Sequence, residues 1–167
     1  METNPAGDIR PAEAEKKTWK DYIGWAGFVV TAGILLQQII IHADGLWYLI
    51  FGEGVKYICV LGDSSYSFLY HLTTVFDLLT VAFFTLFPAL VLVLMLFRKK
   101  AVPGLLVVFA AAAIFTNTAG QVLYTLLAAE GNKAYPITLT DVVYLLIDIA
   151  LVFFYVKSKR FRAIFIK

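Results

Sequence analysis

Four long apolar runs constrain this sequence more than anything else in it. They cover roughly residues 22–41, 68–97, 102–129 and 139–156. A helix rises 1.5 Å per residue, so about 20 apolar residues match the ~30 Å hydrocarbon layer of a bilayer. In lipid, a helix satisfies its backbone polar groups within one segment, and an open sheet does not. The chain therefore reads as an all-α integral membrane protein, a bundle of four transmembrane helices. Composition agrees: of 167 residues, 60% are hydrophobic and 16% charged. Soluble domains are closer to half apolar and a quarter charged, and the mean hydropathy here is +0.79.

Charge then sets an orientation. Lys16, Lys17 and Lys20 precede span one, Arg98, Lys99 and Lys100 join spans two and three, and Lys157, Lys159, Arg160, Arg162 and Lys167 follow span four. The opposite loops hold Asp44, Glu53, Lys56 and Asp63, then Glu130 and Lys133. The positive-inside rule makes the basic side cytoplasmic, so both termini are expected there. Residues 1–20 read as a polar cytoplasmic tail without a signal-peptide pattern. Residues 21–157 form the membrane domain, and residues 158–167 a basic cytoplasmic tail. A net charge of +2 is too small to argue for nucleic acid as a partner. The single cysteine, Cys59, excludes an intrachain disulfide framework.

Span two contains Pro88, where a kink is expected. The outer loop after span one, "ADGLWYLIFGEGVKYICVLGDSS", is apolar but interrupted by glycines, Glu53 and Lys56. It reads as an interfacial loop or short helix, with Trp47, Tyr48 and Tyr57 at headgroup depth. A plain packed loop is the alternative.

The polar residues inside the spans carry the functional argument. Asp148 lies near the midplane, where an ionised carboxylate costs about 2.5–3.5 kcal/mol unless it faces protein or water. Asp141, Tyr144 and Asp148 share one helix face. So do Asn117, Gln121 and Tyr124 in span three, and Thr73, Asp77 and Thr80 in span two. Span one adds Thr31 and Gln38, with Gln37 beside them. Apart from Thr31, and Asp148 near the midplane, these fall in the outer half, while "ALVLVLMLF" and "GLLVVFAAAAIF" are nearly pure hydrocarbon. The expectation is an outward-opening polar cavity formed by Asp148, Asn117, Gln121, Asp77, Gln38, Tyr144 and Tyr124. Asp148 would lie at its floor and could carry a proton. The competing reading has Asp148 hydrogen-bonding Asn117 or Gln121 and fixing how helices three and four dock, worth about 0.6 kcal/mol on average. For Asp77 alone, a structural role leads.

Other features point to packing. Ala112, Thr116 and Gly120 at four-residue spacing allow close helix approach within the bundle. Lys157, Lys159, Arg160 and Arg162 could contact anionic lipid headgroups, or serve only as a topological anchor. His42 and His71 lack a His or Cys neighbour at metal spacing, so no metal, haem or other cofactor is expected. No phosphate-cradling glycine loop, GxSxG, HExxH or CxxC occurs, and Asp77 and Asp148 differ in expected depth, so the chain reads as no enzyme.

Short motifs add a resemblance. "IGWAGF" opens span one, "FGEG" lies in the outer loop, "MLFRKKAVPG" joins spans two and three, and "YVKSKRFRAIFIK" closes the chain. From Tyr22 onward the sequence resembles domain-of-unknown-function family 2569, small four-span bacterial inner-membrane proteins. The resemblance implies a four-span fold and a location in the inner (plasma) membrane, but no activity.

The leading functional expectation is an accessory protein that binds a lipid or a partner protein through the outer cavity. Membrane lipids, a partner membrane protein and a second copy of the chain are the partner classes left open. The alternative is a proton-coupled small-solute carrier or channel subunit using Asp148.

Overall fold

The computed structural model describes residues 19–52, 54, 58–131 and 136–165, with the side chains from Tyr22 onward inside the first helix. The tail before Trp19, the outer-loop residues Glu53, Lys56 and Tyr57, and Lys133 and Lys167 lie outside the described residues. Among the described residues, five helices account for most of the chain: α1 Trp19–Phe51, α2 Phe68–Leu96, α3 Val102–Ala129, α4 Leu139–Lys157 and a short α5 Lys159–Ala163. A 3₁₀ turn, Val60–Gly62, lies between α1 and α2. No strand occurs among the described residues. Four helices are long and apolar enough to cross a membrane, the architecture of a multi-pass membrane protein.

Span one differs from the sequence reading. Its helix does not stop at residue 41 but runs on to Phe51, so Ala43–Phe51 is not loop. Asp44 and Gly45 read as breakers, yet a helical glycine costs only about 1 kcal/mol. Gly45 also sits against α2, where an added Cβ would come within 3.7 Å of Val81. Trp47 and Phe51 stack one turn apart, their centroids at 4.4 Å. The helix ends at Gly52, whose N–H donates to Tyr48 O at 2.9 Å. A Cβ there would lie 2.7 Å from that same carbonyl. At 33 residues α1 is about 50 Å long, which exceeds the hydrocarbon thickness and requires tilt or projection beyond it.

The other boundaries follow local chemistry. Ser67 caps α2 by accepting from Tyr70 N. It also donates to Glu130 Oε2 at 2.6 Å, tying the starts of α2 and the end of α3 together. α2 is continuous through Pro88. Thr138 and Asp141 form a reciprocal capping box at the start of α4. That removes Asp141 from the polar stripe, because its carboxylate accepts from Thr138 N and Oγ1. His71 Nε2 lies 2.9 Å from Val60 O and 3.1 Å from Asp63 O. Carbonyls only accept, so this nitrogen carries the proton and pins the 3₁₀ turn.

The spans are arranged in sequence order. α1 packs on α2, α2 on α3 and α3 on α4. α1 and α4 do not pack along their length. They meet near the end that carries Arg98–Lys100, hereafter the basic end. There Tyr155 donates to Thr31 Oγ1 at 3.3 Å, and Phe154 lies so close that a Cβ on Gly27 would be 2.7 Å from its ring. Thr31 is therefore part of this core, as its place outside the outer half suggested. The fully buried residues gather at the same end, among them Leu35, Val91, Met95, Leu106, Tyr155 and Phe161.

Residues 158–165 are not a simple tail. Ser158 caps α5 by accepting from Phe161 N, and α5 folds back onto α1. Phe161 and Phe165 are buried in the core, with Phe161 stacked near Phe154, Tyr155 and Phe165 at 5.2–5.5 Å. The four cations of this segment, Lys157, Lys159, Arg160 and Arg162, are all exposed. The basic run suggested a solvated anchor, but its phenylalanines at 161 and 165 lie one turn apart and face inward.

Candidate functional site

A cavity of about 610 Å³ lies between the four spans, toward the end opposite the basic one, the distal end. Each helix contributes one face. From α1 come Ile34, Gln37, Gln38, Ile41 and His42, and from α2 Phe76, Asp77, Thr80 and Phe84. α3 supplies Thr116, Asn117, Gln121 and Tyr124 above Phe109 and Ala113. α4 supplies Tyr144, Ile147, Asp148 and Leu151. The spacings of three and four residues within each set are those of a single helix face. All seven residues singled out from the sequence line this space: Asp148, Asn117, Gln121, Asp77, Gln38, Tyr144 and Tyr124.

The polar groups differ in how they are occupied. Tyr124 donates to Asp77 Oδ1 at 2.7 Å, a short bond to a carboxylate. The interhelical tie therefore joins α2 to α3 through Asp77. Asp148, half-buried on α4, makes no hydrogen bond among the described residues. The expected docking bond from Asp148 to Asn117 or Gln121 is not formed, and its carboxylate faces the cavity. Gln121 Oε1 is buried with no hydrogen-bond partner among the described residues. Thr116 is self-satisfied, its hydroxyl donating to Ala112 O at 2.9 Å, as Thr73 does to Leu69 O. These threonines add polarity to the helices but little binding capacity.

The depths of the two carboxylates are closer than the sequence suggested. Each is the tenth residue of its helix, about 13 Å along the axis from the distal end. Among the described residues, no three His, Cys, Asp or Glu side chains come together as a metal site.

Two features escaped the sequence reading. His42 lines the cavity, and its Nδ1 donates to Gln38 O at 2.9 Å while its ring stacks on Phe84 at 5.4 Å. Ending span one at residue 41 hid it. The aromatic walls Phe76, Phe84 and Phe109 were also missed, although Phe84 is seven residues beyond Asp77 and so on its face.

The cavity has a side opening. Gln37 and Ile41 on α1, and Tyr144 and Ile147 on α4, are cavity-lining residues that are also exposed. They flank the α1–α4 gap, the one neighbouring pair of spans without continuous packing. Below it, toward the basic end, the Tyr155–Thr31 bond and the buried aromatic cluster close the bundle. At Gly120 the wall of α3 lies within ordinary contact distance of α2, since a Cβ there would be 3.5 Å from Phe76. No protein-family model matches the chain, and no curated protein or solved structure matches it.

Proposed function

We propose that this chain is a non-enzymatic accessory protein of the inner (plasma) membrane, with both termini cytoplasmic, that binds a lipid-like amphiphile in its cavity. The observation that carries the reading is the lined gap between α1 and α4. A molecule in the bilayer can insert a polar group between these helices while its apolar part stays in lipid. The volume, about 610 Å³, falls in the range of about 300–1,000 Å³ typical of small-molecule sites. The orientation rests on Arg98, Lys99, Lys100, Lys157, Lys159, Arg160 and Arg162, all at one end. The cavity then opens on the outer half of the membrane.

The test is retention of lipid. The protein is purified in mild detergent and its bound lipids are counted by native mass spectrometry. Ala113→Trp, which fills the cavity from the wall of α3, should abolish the lipid adducts while the bare variant still appears as a folded species at its own mass. Equal retention by the variant and the wild type would refute the reading.

A second reading has one observation in its favour. Asp148 faces the cavity without a hydrogen bond among the described residues, as a proton-coupled carrier or channel subunit would use it. A carrier must open on both sides, and the packed aromatic core occupies the basic half. Proton or solute flux in proteoliposomes that disappears with Asp148→Asn would favour the carrier over the binding protein.

A further inference from the structure

We propose that the cavity selects an organic cation, a protonated amine or quaternary ammonium on an apolar tail, with Asp148 as its counter-ion. This rests on the reading that the cavity binds an amphiphile, and it names the chemistry of the bound group.

The lining decides the sign of the charge. Two carboxylates, Asp77 and Asp148, face the cavity, and no Lys or Arg is among its described lining residues. An anionic headgroup would meet like charges and no guanidinium or ammonium to receive it. A cation meets the reverse. The two carboxylates are not equivalent. Asp77 already accepts the Tyr124 hydroxyl at 2.7 Å, whereas Asp148 has both oxygens free of hydrogen bonds among the described residues. An ionised carboxylate at this depth is costly in isolation, and a bound cation offsets that cost.

Two independent features suit the same ligand. Gln121 Oε1 is a buried acceptor without a partner among the described residues, able to take an N–H from an ammonium group. Aromatic rings line the space around it, among them Phe76, Phe84 and Tyr144, and ring faces attract cations within about 6 Å. The tail is accounted for by the α1–α4 gap, whose edges include exposed Ile41 and Ile147. A hydrocarbon chain passing between them stays in the lipid while the charged end reaches Asp148.

The experiment compares ligands of matched tail in detergent-solubilised full-length protein, by titration calorimetry. Decylammonium is the cationic probe, decanol the neutral one, and methylammonium the charge without a tail. Decylammonium should bind at least tenfold more tightly than decanol, and methylammonium should not bind measurably. Asp148→Asn should weaken decylammonium by about 10- to 100-fold, the scale of a hydrogen bond to a charged group. It should leave decanol unchanged, and Asp148→Glu should restore most of the preference. Decanol binding is also the control that Asp148→Asn has folded. Decanol and decylammonium of equal affinity, or a decylammonium affinity indifferent to Asp148→Asn, would overturn the cation proposal and leave the amphiphile cavity standing. Binding of neither probe, together with unchanged lipid retention by Ala113→Trp, would overturn both. The source of the cation is then read by exchange: lysophosphatidylethanolamine that displaces decylammonium assigns a lipid amine, and displacement by octylamine alone assigns a free lipophilic amine.

Discussion

Removal of the Tyr124 hydroxyl should show how much of the α2–α3 pairing rests on a polar tie. The bond to Asp77 Oδ1 is 2.7 Å long, in the short range of O–H···O⁻ contacts. In a soluble protein a hydrogen bond to a charged group contributes about 1.5–3 kcal/mol. Between transmembrane helices the measured mean is about 0.6 and the maximum about 1.7 kcal/mol, because unfolded helices in lipid find other partners. Asp77 is only half-buried and lines the cavity, so water also competes for it. A coupling of about 1 kcal/mol follows, above the membrane mean because an ionised acceptor is involved. The assay is a double-mutant cycle of Asp77→Ala, Tyr124→Phe and the pair, each unfolded in mixed micelles with rising SDS. The cycle isolates the pairwise energy from the lost packing of either side chain. A coupling indistinguishable from zero, within the additivity error of about 0.3–0.5 kcal/mol, would refute the reasoning. The carboxylate at 77 would then be solvated by the cavity and the bond incidental.

The remaining predictions concern the hook, the close approaches and the caps. Phe161→Ala should lower stability in the same assay by about 3 kcal/mol, the usual cost of deleting a fully buried aromatic ring, while Lys159→Gln, on the exposed side of α5, should leave it unchanged within about 0.5 kcal/mol. Gly27→Leu should destabilise by about 1–3 kcal/mol, because its Cβ would meet Phe154 at 2.7 Å. Thr138→Ala should cost about 1 kcal/mol through loss of the capping box, and increased amide exchange in the first turn of α4 would report it. The Ser65 backbone N–H, 2.9 Å from Asp63 Oδ1, holds the Asp63 carboxyl below its ordinary range. A depressed folded value means the Asp63 turn is stabilised above the unfolded pKa of about 3.9 and loses that support as pH falls through the folded value. An NMR titration of Asp63 with a midpoint at or above the unfolded value would contradict it.

How much of this was legible beforehand differs by element. The number and placement of the spans were, because length and apolarity alone decide what crosses a bilayer. α3 has the bounds read from the sequence, and α2 and α4 differ by one residue each. The end of α1 was not legible, because a glycine and an aspartate look the same in a helix as at its end, and the packing of Gly45 on Val81 is a tertiary fact. The seven polar residues could be grouped because helical spacing puts each set on one face. What each does could not. Asp141 reads as part of the stripe and serves as a cap. Thr31 reads as a polar residue outside the outer half, and its partner, Tyr155 in the core, is what the sequence does not name. The docking bond falls to Asp77, because pairing depends on rotation about each helix axis, which one sequence does not encode locally. The hook was hidden for a related reason: in "KSKRFRAIFIK" the lysines and arginines dominate composition, while burial is decided by Phe161 and Phe165.

The hook and the gap together bear on how the cavity is reached. α1 and α4 could separate along their whole length or be clamped along it, and they do neither. The clamp is confined to the basic end, where Tyr155 reaches Thr31, Phe154 covers Gly27 and α5 folds over both. Opening a path to the basic side would have to expose Phe161, at roughly 1.5–3 kcal/mol for such a ring, a population of about one in ten to one in two hundred. Among the described residues no comparable core closes the opposite half, where the lining residues Tyr144 and Ile147 are already half-exposed. In the proposed binding reading, a ligand entering through the α1–α4 gap leaves this packed core undisturbed, whereas passage through the protein needs the hook to leave. The asymmetry favours a molecule that receives and returns its ligand on one side of the membrane.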